Sequence, residues 1–144
     1  MSSLPEIKAQ LGGAGSPFTF VRGATSMAQV KGDRPEAVLP VAYVLSAKEV
    51  TADNPRATGS VLQKQERDIM IVIVVEDLGD ADGDTVQDPL EDLKAYVRGK
   101  LLGFKPTDMV DRITHVGGEV VEAASGCVWF ADTFSAPIYL KENI

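Results

Sequence analysis

The side chains with the most chemical potential in this chain are its single cysteine, Cys127, its single histidine, His115, and carboxylates at Asp80, Asp82, Asp84 and Glu91. A thiol works as a nucleophile only as the thiolate, with a base within reach. Cys127 is followed by Val128 and Trp129, which suits a buried thiol, and His115 lies in an alternating stretch where an imidazole is a structural group. No Gly-x-Ser-x-Gly elbow occurs, and the sequence pairs no nucleophile with a base. The expectation is a protein without catalytic residues. One cysteine also excludes an internal disulfide and any multi-cysteine metal site.

The carboxylates invite a calcium reading. With Asp80, Asp82 and Asp84 at positions 1, 3 and 5 of a helix-loop-helix calcium loop, Glu91 falls at position 12, the correct ligand type. Position 6 then holds Thr85 where the sharp turn needs glycine, position 8 holds Gln87, and a strand precedes the loop in place of a helix. A solvated acidic turn accounts for the cluster better, and no cofactor or metal is expected. The glycines at 12, 13 and 15 are followed by no Gly-Lys-Ser/Thr, which a phosphate loop requires.

The elements that position these residues organise around residues 68–76, Asp-Ile-Met-Ile-Val-Ile-Val-Val-Glu. An apolar run of this length, rich in β-branched residues, reads as a strand buried on both faces, and it is far shorter than the roughly 20 residues of a membrane span. The polar residues 61–67 before it contain neither glycine nor proline, so one long strand begins exposed and ends in the core. Residues 37–50 mirror that order, apolar first and polar after. Between the two lie Asp53, Asn54, Pro55 and Gly59, all turn formers. A hairpin follows, with both apolar ends in the core and residues 46–64 projecting from the body, either as a disordered surface loop or as an arm that touches another subunit.

A helix is expected over residues 89–102, with Asp88 as N-cap, Pro89 at N1, Glu91 at N3, and Gly103 and Pro106 as its stop. Leu90, Leu93, Val97 and Leu101 recur at spacings of three and four and face the sheet. Shorter elements are expected as a helix over 5–11, a strand over 18–21 and a helix over 24–30. Strands over 112–116 and 119–123 flank Gly117-Gly118, a turn or bulge. In the last run, 127–140, Val128, Phe130, Phe134, Ala136, Ile138 and Leu140 share a face whose only charge is Asp132, and Pro137 marks an edge or bulge.

At 144 residues the chain has the size of one domain, expected as a flexible N-terminal segment over 1–17 and a single α+β domain over 18–144. The sheet is expected to be mixed and mostly antiparallel, with the main helix on one face. A net charge of −7 opposes a nucleic-acid grip, which needs Lys and Arg against phosphates. No basic segment followed by an apolar core opens the sequence, and neither end carries a lipidation motif, so the expectation is a protein made in the cytoplasm with no membrane partner.

Taken in order, several segments resemble the small tail terminator proteins of long-tailed bacteriophages, the group often called Gp37-like. They are the apolar strand ending near Leu45, Arg56-Ala57-Thr58-Gly59, and the helix closing in Leu101-Leu102-Gly103-Phe104-x-Pro106. Gly117-Gly118 and Val128-Trp129-Phe130-x-Asp132-x-Phe134 follow. The similarity runs from about Ala24 to the C-terminus, and the glycine cluster before it departs from the longer first helix of similar proteins. The resemblance implies a structural virion subunit forming a homo-oligomeric, hexameric ring that caps the tail tube, stops its polymerisation and presents a surface to the head-tail connector. Its partners would be the tail tube protein and the connector or neck protein, with DNA only passing through the lumen and assembly in the bacterial cytoplasm. An acidic chain suits such a lumen. Arg56, Gln63, Gln65 and Arg67 on the arm are the expected contacts with a neighbouring subunit or the tube. Two alternatives stay open: another neck or tail-completion subunit, and a small ligand- or metal-binding α+β domain using the acidic turn.

Overall fold

A computed structural model of the chain describes residues 3–30, 34–35, 37–76, 84–124 and 126–142. Its strands are β1 (Val21–Gly23), β2 (Val41–Thr51), β3 (Leu62–Glu76), β4 (Thr114–Ala124) and β5 (Cys127–Lys141), and its helices α1 (Leu4–Gly12), α2 (Ala24–Ala28) and α3 (Asp84–Leu101). The five strands form one sheet in the order β1-β2-β3-β5-β4. Only β1 runs parallel to its neighbour; the β2–β3, β3–β5 and β4–β5 pairs are antiparallel. The fold is mixed α+β, as the sequence predicts, and the apolar run 68–76 is the buried half of the central strand.

The sheet is covered unequally on its two faces. On one, Ile69, Ile71 and Ile73 of β3 and Phe130 and Phe134 of β5 pack with Leu90, Leu93, Val97 and Leu101 of α3. The i, i+3, i+4 spacing of those α3 residues turns them to a single side of the helix. Ile7 and Leu11 of α1 are fully buried in the same core. The helix over 4–12 is therefore a packed element where the sequence reads as a flexible N-terminal segment. Tyr96 Oη donates to the Leu11 carbonyl at 2.9 Å, the backbone N–H of Thr107 donates to Glu6 at 2.7 Å, and the Ser3 hydroxyl is hydrogen-bonded to Asp108. These bonds explain the docking, and a reading of local breakers could not see them.

Three boundaries differ from expectation. Helix α3 starts at Asp84, and Pro89 lies inside it. Residues 84–88 contain no glycine or proline, so nothing in the backbone delays the helix to the Asp88-Pro89 pair. Its end is as expected, with Gly103 at φ +81°, a conformation glycine adopts without the Cβ clash. The two short strands expected around Gly117-Gly118 are one strand, β4, with register shifts between His115 and Gly117 and between Val120 and Glu122. The strand expected over 18–21 is β1, at Val21–Gly23. Of the calcium-type reading, Asp80 and Asp82 lie outside the described residues. Asp84 begins α3 and Glu91 lies within it, so these two belong to a helix and not to a loop.

Pro137 behaves as an edge residue although β5 is interior. β4 pairs with β5 only as far as Thr114 opposite Ser135, so beyond that point β5 has a free side. There the Pro137 carbonyl accepts from the Val110 N–H at 2.9 Å, and no ladder bond is asked of the missing proline N–H.

Candidate assembly surface: the arm and the open face of the sheet

The β2–β3 hairpin leaves the covered core at Ser46 and Ile69. Residues 46–51 are all exposed, and the register shifts by one bulge between Ser46 and Glu49 before resuming with Glu49 opposite Arg67, Val50 opposite Glu66 and Thr51 opposite Gln65. On its other side β3 pairs with β5 without interruption from Leu62 opposite Lys141 to Glu76 opposite Cys127. The arm is thus a three-stranded extension of the main sheet, stiffened by one unbroken ladder. That ladder is why a polar hairpin, marginal alone, holds its form here.

Each of the four residues expected on the arm has a definite place. Gln65 is buried: its Nε2 donates to Thr51 Oγ1 at 2.9 Å, and its Oε1 accepts from Arg67 Nε at 2.8 Å. Arg67 is half-buried and also lies 3.7 Å from Glu49 Oε2. Gln63 Nε2 donates to the Ala52 carbonyl at 3.0 Å. These three share one face of β3 and brace β2 against β3. Arg56, in the connecting loop, is exposed and donates to the Ser60 carbonyl at 3.1 Å. Asn54 closes the same loop, its Oδ1 accepting from the N–H groups of Arg56 and Leu62, each at 3.2 Å. Gly59, at φ +89°, supplies the left-handed turn. The structure gathers Gln63, Gln65 and Arg67 into one brace and sets Arg56 apart at the tip.

Among the described residues, the second face of the sheet is only partly covered. Val41, Tyr43, Val72, Val74 and Cys127 form a small core there, closed over β2 by Phe20, Met27, Val30 and Leu39. Tyr43 stacks on Trp129 with ring centroids 6.2 Å apart, and Phe20 meets Tyr43 edge-on at 5.6 Å. Towards β4 that cover ends. A groove of about 300 Å³ opens between Met27, Val30, Met70, Val72, Val121 and Trp129, and a second of about 310 Å³ continues it along Met70, Val116 and Thr133. The two register shifts of β4 fall at Val116 and Val121, and both valines line these grooves, 58% and 62% exposed. Sequence reasoning missed this surface because the bulges break the alternation that would have flagged Val116 and Val121 as a face. The remaining signal was Gly117-Gly118 set among exposed valines.

On the covered face, Asp132 is completely buried and held by Arg98 and His115. Arg98 of α3 holds it in a fork, Nε to Oδ2 at 3.1 Å and Nη2 to Oδ1 at 3.0 Å, and His115 Nε2 lies 2.7 Å from Oδ1. The bond to Asp132 holds the Arg98 guanidinium above its ordinary range. Gly118 makes room for the carboxylate: a Cβ there would stand 2.7 Å from Phe130 Cζ and 2.8 Å from Asp132 Oδ1. The only charge expected on that face of β5 is therefore satisfied within the fold, and His115 has the structural role the sequence assigned to it. Among the described residues no cluster of three or more His, Cys, Asp or Glu is arranged to hold a metal ion, and no helix is long and apolar enough to cross a membrane.

The fold is thus a mixed α+β sheet with one well-covered face and an extended hairpin. Residues 2–143 match the family described as phage tail terminator protein, and the chain belongs to that family. Its role is structural, within the phage tail, and the family is not an enzyme family. Among solved structures, a chain of the virion of a native gene transfer agent (GTA) particle is similar at 19% identity, over 85% of this chain and 80% of that one, with a TM-score of 0.47. No curated protein matches.

Proposed function

We propose that this protein caps the phage tail tube as a ring, ends tube polymerisation and presents the surface to which the head-tail connector or neck protein binds. The observation that carries this reading is the family match, which spans residues 2–143 and so takes in the arm as well as the core. A ring needs heterologous contacts, in which one part of a subunit meets a different part of the next. The arm, held out by the unbroken β3–β5 ladder, supplies one such part. In this reading the ring is a hexamer, assembled in the host cytoplasm, and DNA only passes through its lumen. A net charge of −7 supports passage without retention, since like charge weakens non-specific DNA binding.

Within the arm the expected contact residues divide into two roles. Arg56, exposed at the tip, meets the neighbour or the tube directly. Gln63, Gln65 and Arg67 act by holding the hairpin in the shape that presents it. Native mass measurement of the purified protein, free and on isolated tubes, tests the ring. A strict monomer that never binds tube ends would overturn it.

A further inference from the structure

We infer that the hollow over β1 and β2, walled by Arg22 and floored by Tyr43, is a binding site for a carboxylate, the side chain of an aspartate or glutamate on a partner protein. The site does not depend on the ring reading. Arg22 and Tyr43 are register partners on the parallel β1–β2 pair, so their side chains leave the sheet side by side on one face. Phe20 joins them there: Arg22 Cζ lies 4.0 Å from the centroid of its ring, and the ring meets Tyr43 edge-on at 5.6 Å. With Ser26 and Gln29 these three line a hollow of about 240 Å³.

Two polar groups in it are left unsatisfied by the fold. The other arginines of the chain each donate to a protein oxygen: Arg34 to Glu76, Arg56 to Ser60, Arg67 to Gln65, Arg98 to Asp132 and Arg112 to Gly103. Among the described residues Arg22 donates to none and pairs with no acid. Its guanidinium rests over the Phe20 ring, which steadies the group and leaves its N–H donors free. Tyr43 is 1% exposed, yet among the described residues its hydroxyl has no hydrogen-bond partner. A hydroxyl sealed away in that state would be destabilising. Among the described residues no side-chain polar atom is so sealed, so the Tyr43 hydroxyl opens into the hollow that it lines.

What these two donors lack is an acceptor with negative charge. Burial raises the Tyr43 phenol above its ordinary value, so it keeps its proton, and the Arg22 charge partly opposes that rise, as expected of two groups that face one space. A guanidinium edge and a hydroxyl together match the lone pairs of a single carboxylate. Arg22 is the one charged side chain among the lining residues, and it balances one negative charge. A phosphate would bring nearly two, with no second cation to meet the excess. The Phe20 wall is apolar and suits the methylene stem that carries a side-chain carboxylate.

Trp129, the only tryptophan, stacks on Tyr43 with centroids 6.2 Å apart, so its emission reports on the site. The full chain is titrated with acetyl-Gly-Glu-Gly-amide, with the Gln counterpart and with inorganic phosphate. The expected result is a saturable change with the Glu peptide, at least about tenfold weaker with the other two, as a charge-assisted bond implies. Arg22→Gln abolishes it at an unchanged melting temperature, Tyr43→Phe weakens it about tenfold, and Lys105→Gln behaves as wild type. No response to the Glu peptide, or an equal response in Arg22→Gln, overturns the site. Phosphate binding more tightly than the peptide overturns the ligand class. Sedimentation of the chain alone and with isolated tubes then separates the sources. Loss of self-association in Arg22→Gln puts the carboxylate on a second copy, and loss of tube binding alone puts it on the tube protein. An Arg22→Gln chain that matches wild type in both overturns the protein partner and leaves the ring reading standing.

Discussion

Arg98 grips Asp132 from the far side of the helix–sheet boundary, two hydrogen bonds of 3.1 and 3.0 Å joining α3 to the middle of β5. The carboxylate is wholly buried, whereas the Arg98 side chain is about a third exposed. Breaking a fully buried pair costs about 3–5 kcal/mol because a charge is left uncompensated. Asp132→Ala should destabilise by somewhat less, about 2–3 kcal/mol, since water can reach the stranded guanidinium. Denaturant unfolding measures it. Asp132→Leu with Arg98→Leu should recover most of the loss, and equal losses in the single and double variants would mean that the pair is not the cause.

Gly118 should tolerate no side chain. A Cβ would press on Phe130 and on the Asp132 carboxylate, both held by packing or by ion pairs, so Gly118→Ala should cost about 1–3 kcal/mol, the usual range for overpacking. Gly117, adjacent to the bulged Val116, has nothing near its missing Cβ, so Gly117→Ala is the internal control. Equal thermal shifts for the two variants would contradict the close approach.

Tyr43 gives the fold an alkaline limit. Burial raises its phenol above the ordinary value of 10.0, partly opposed by the nearby Arg22 charge. The folded state therefore keeps this proton after the unfolded chain has begun to lose it. Its stability contribution is full below about pH 10 and is lost as pH rises through the folded value. Tyr43→Phe should flatten the fall in unfolding free energy above about pH 10. An identical alkaline slope in both proteins would assign the fall to other groups.

The arm residues should separate by role. Gln65→Ala removes a buried amide that bonds to Thr51 and Arg67, and should cost about 1 kcal/mol while weakening assembly through a loosened hairpin. Arg56→Ala, at an exposed tip, should leave the melting temperature unchanged and reduce only tube binding. If Arg56→Ala binds tubes as wild type, the tip is not a contact.

Much of this arrangement was legible from residue patterns because its causes are local. The β-branched run 68–76, the turn formers between residues 52 and 60, and the Leu90, Leu93, Val97, Leu101 stripe each carry their instruction in neighbouring residues. The docking of α1 and the pairing of Asp132 with Arg98 depend on partners 34 to 105 positions apart, and no local pattern announces them. Asp132 could be singled out as the lone charge on an apolar face, but its partner could not. The open groove was hidden for a different reason. Two bulges shift the parity of β4, so residues that lie on one surface do not alternate in the sequence.

The central claim, a tail part that ends tube growth as a ring, is tested most directly by the length of tails assembled without it. Electron micrographs of particles from a host expressing the tail genes but lacking this one should show tubes of uncontrolled length and no joined heads. Supplying the wild-type protein should restore one length, with a ring visible at the tube end. Tubes of normal, uniform length in its absence would contradict the account.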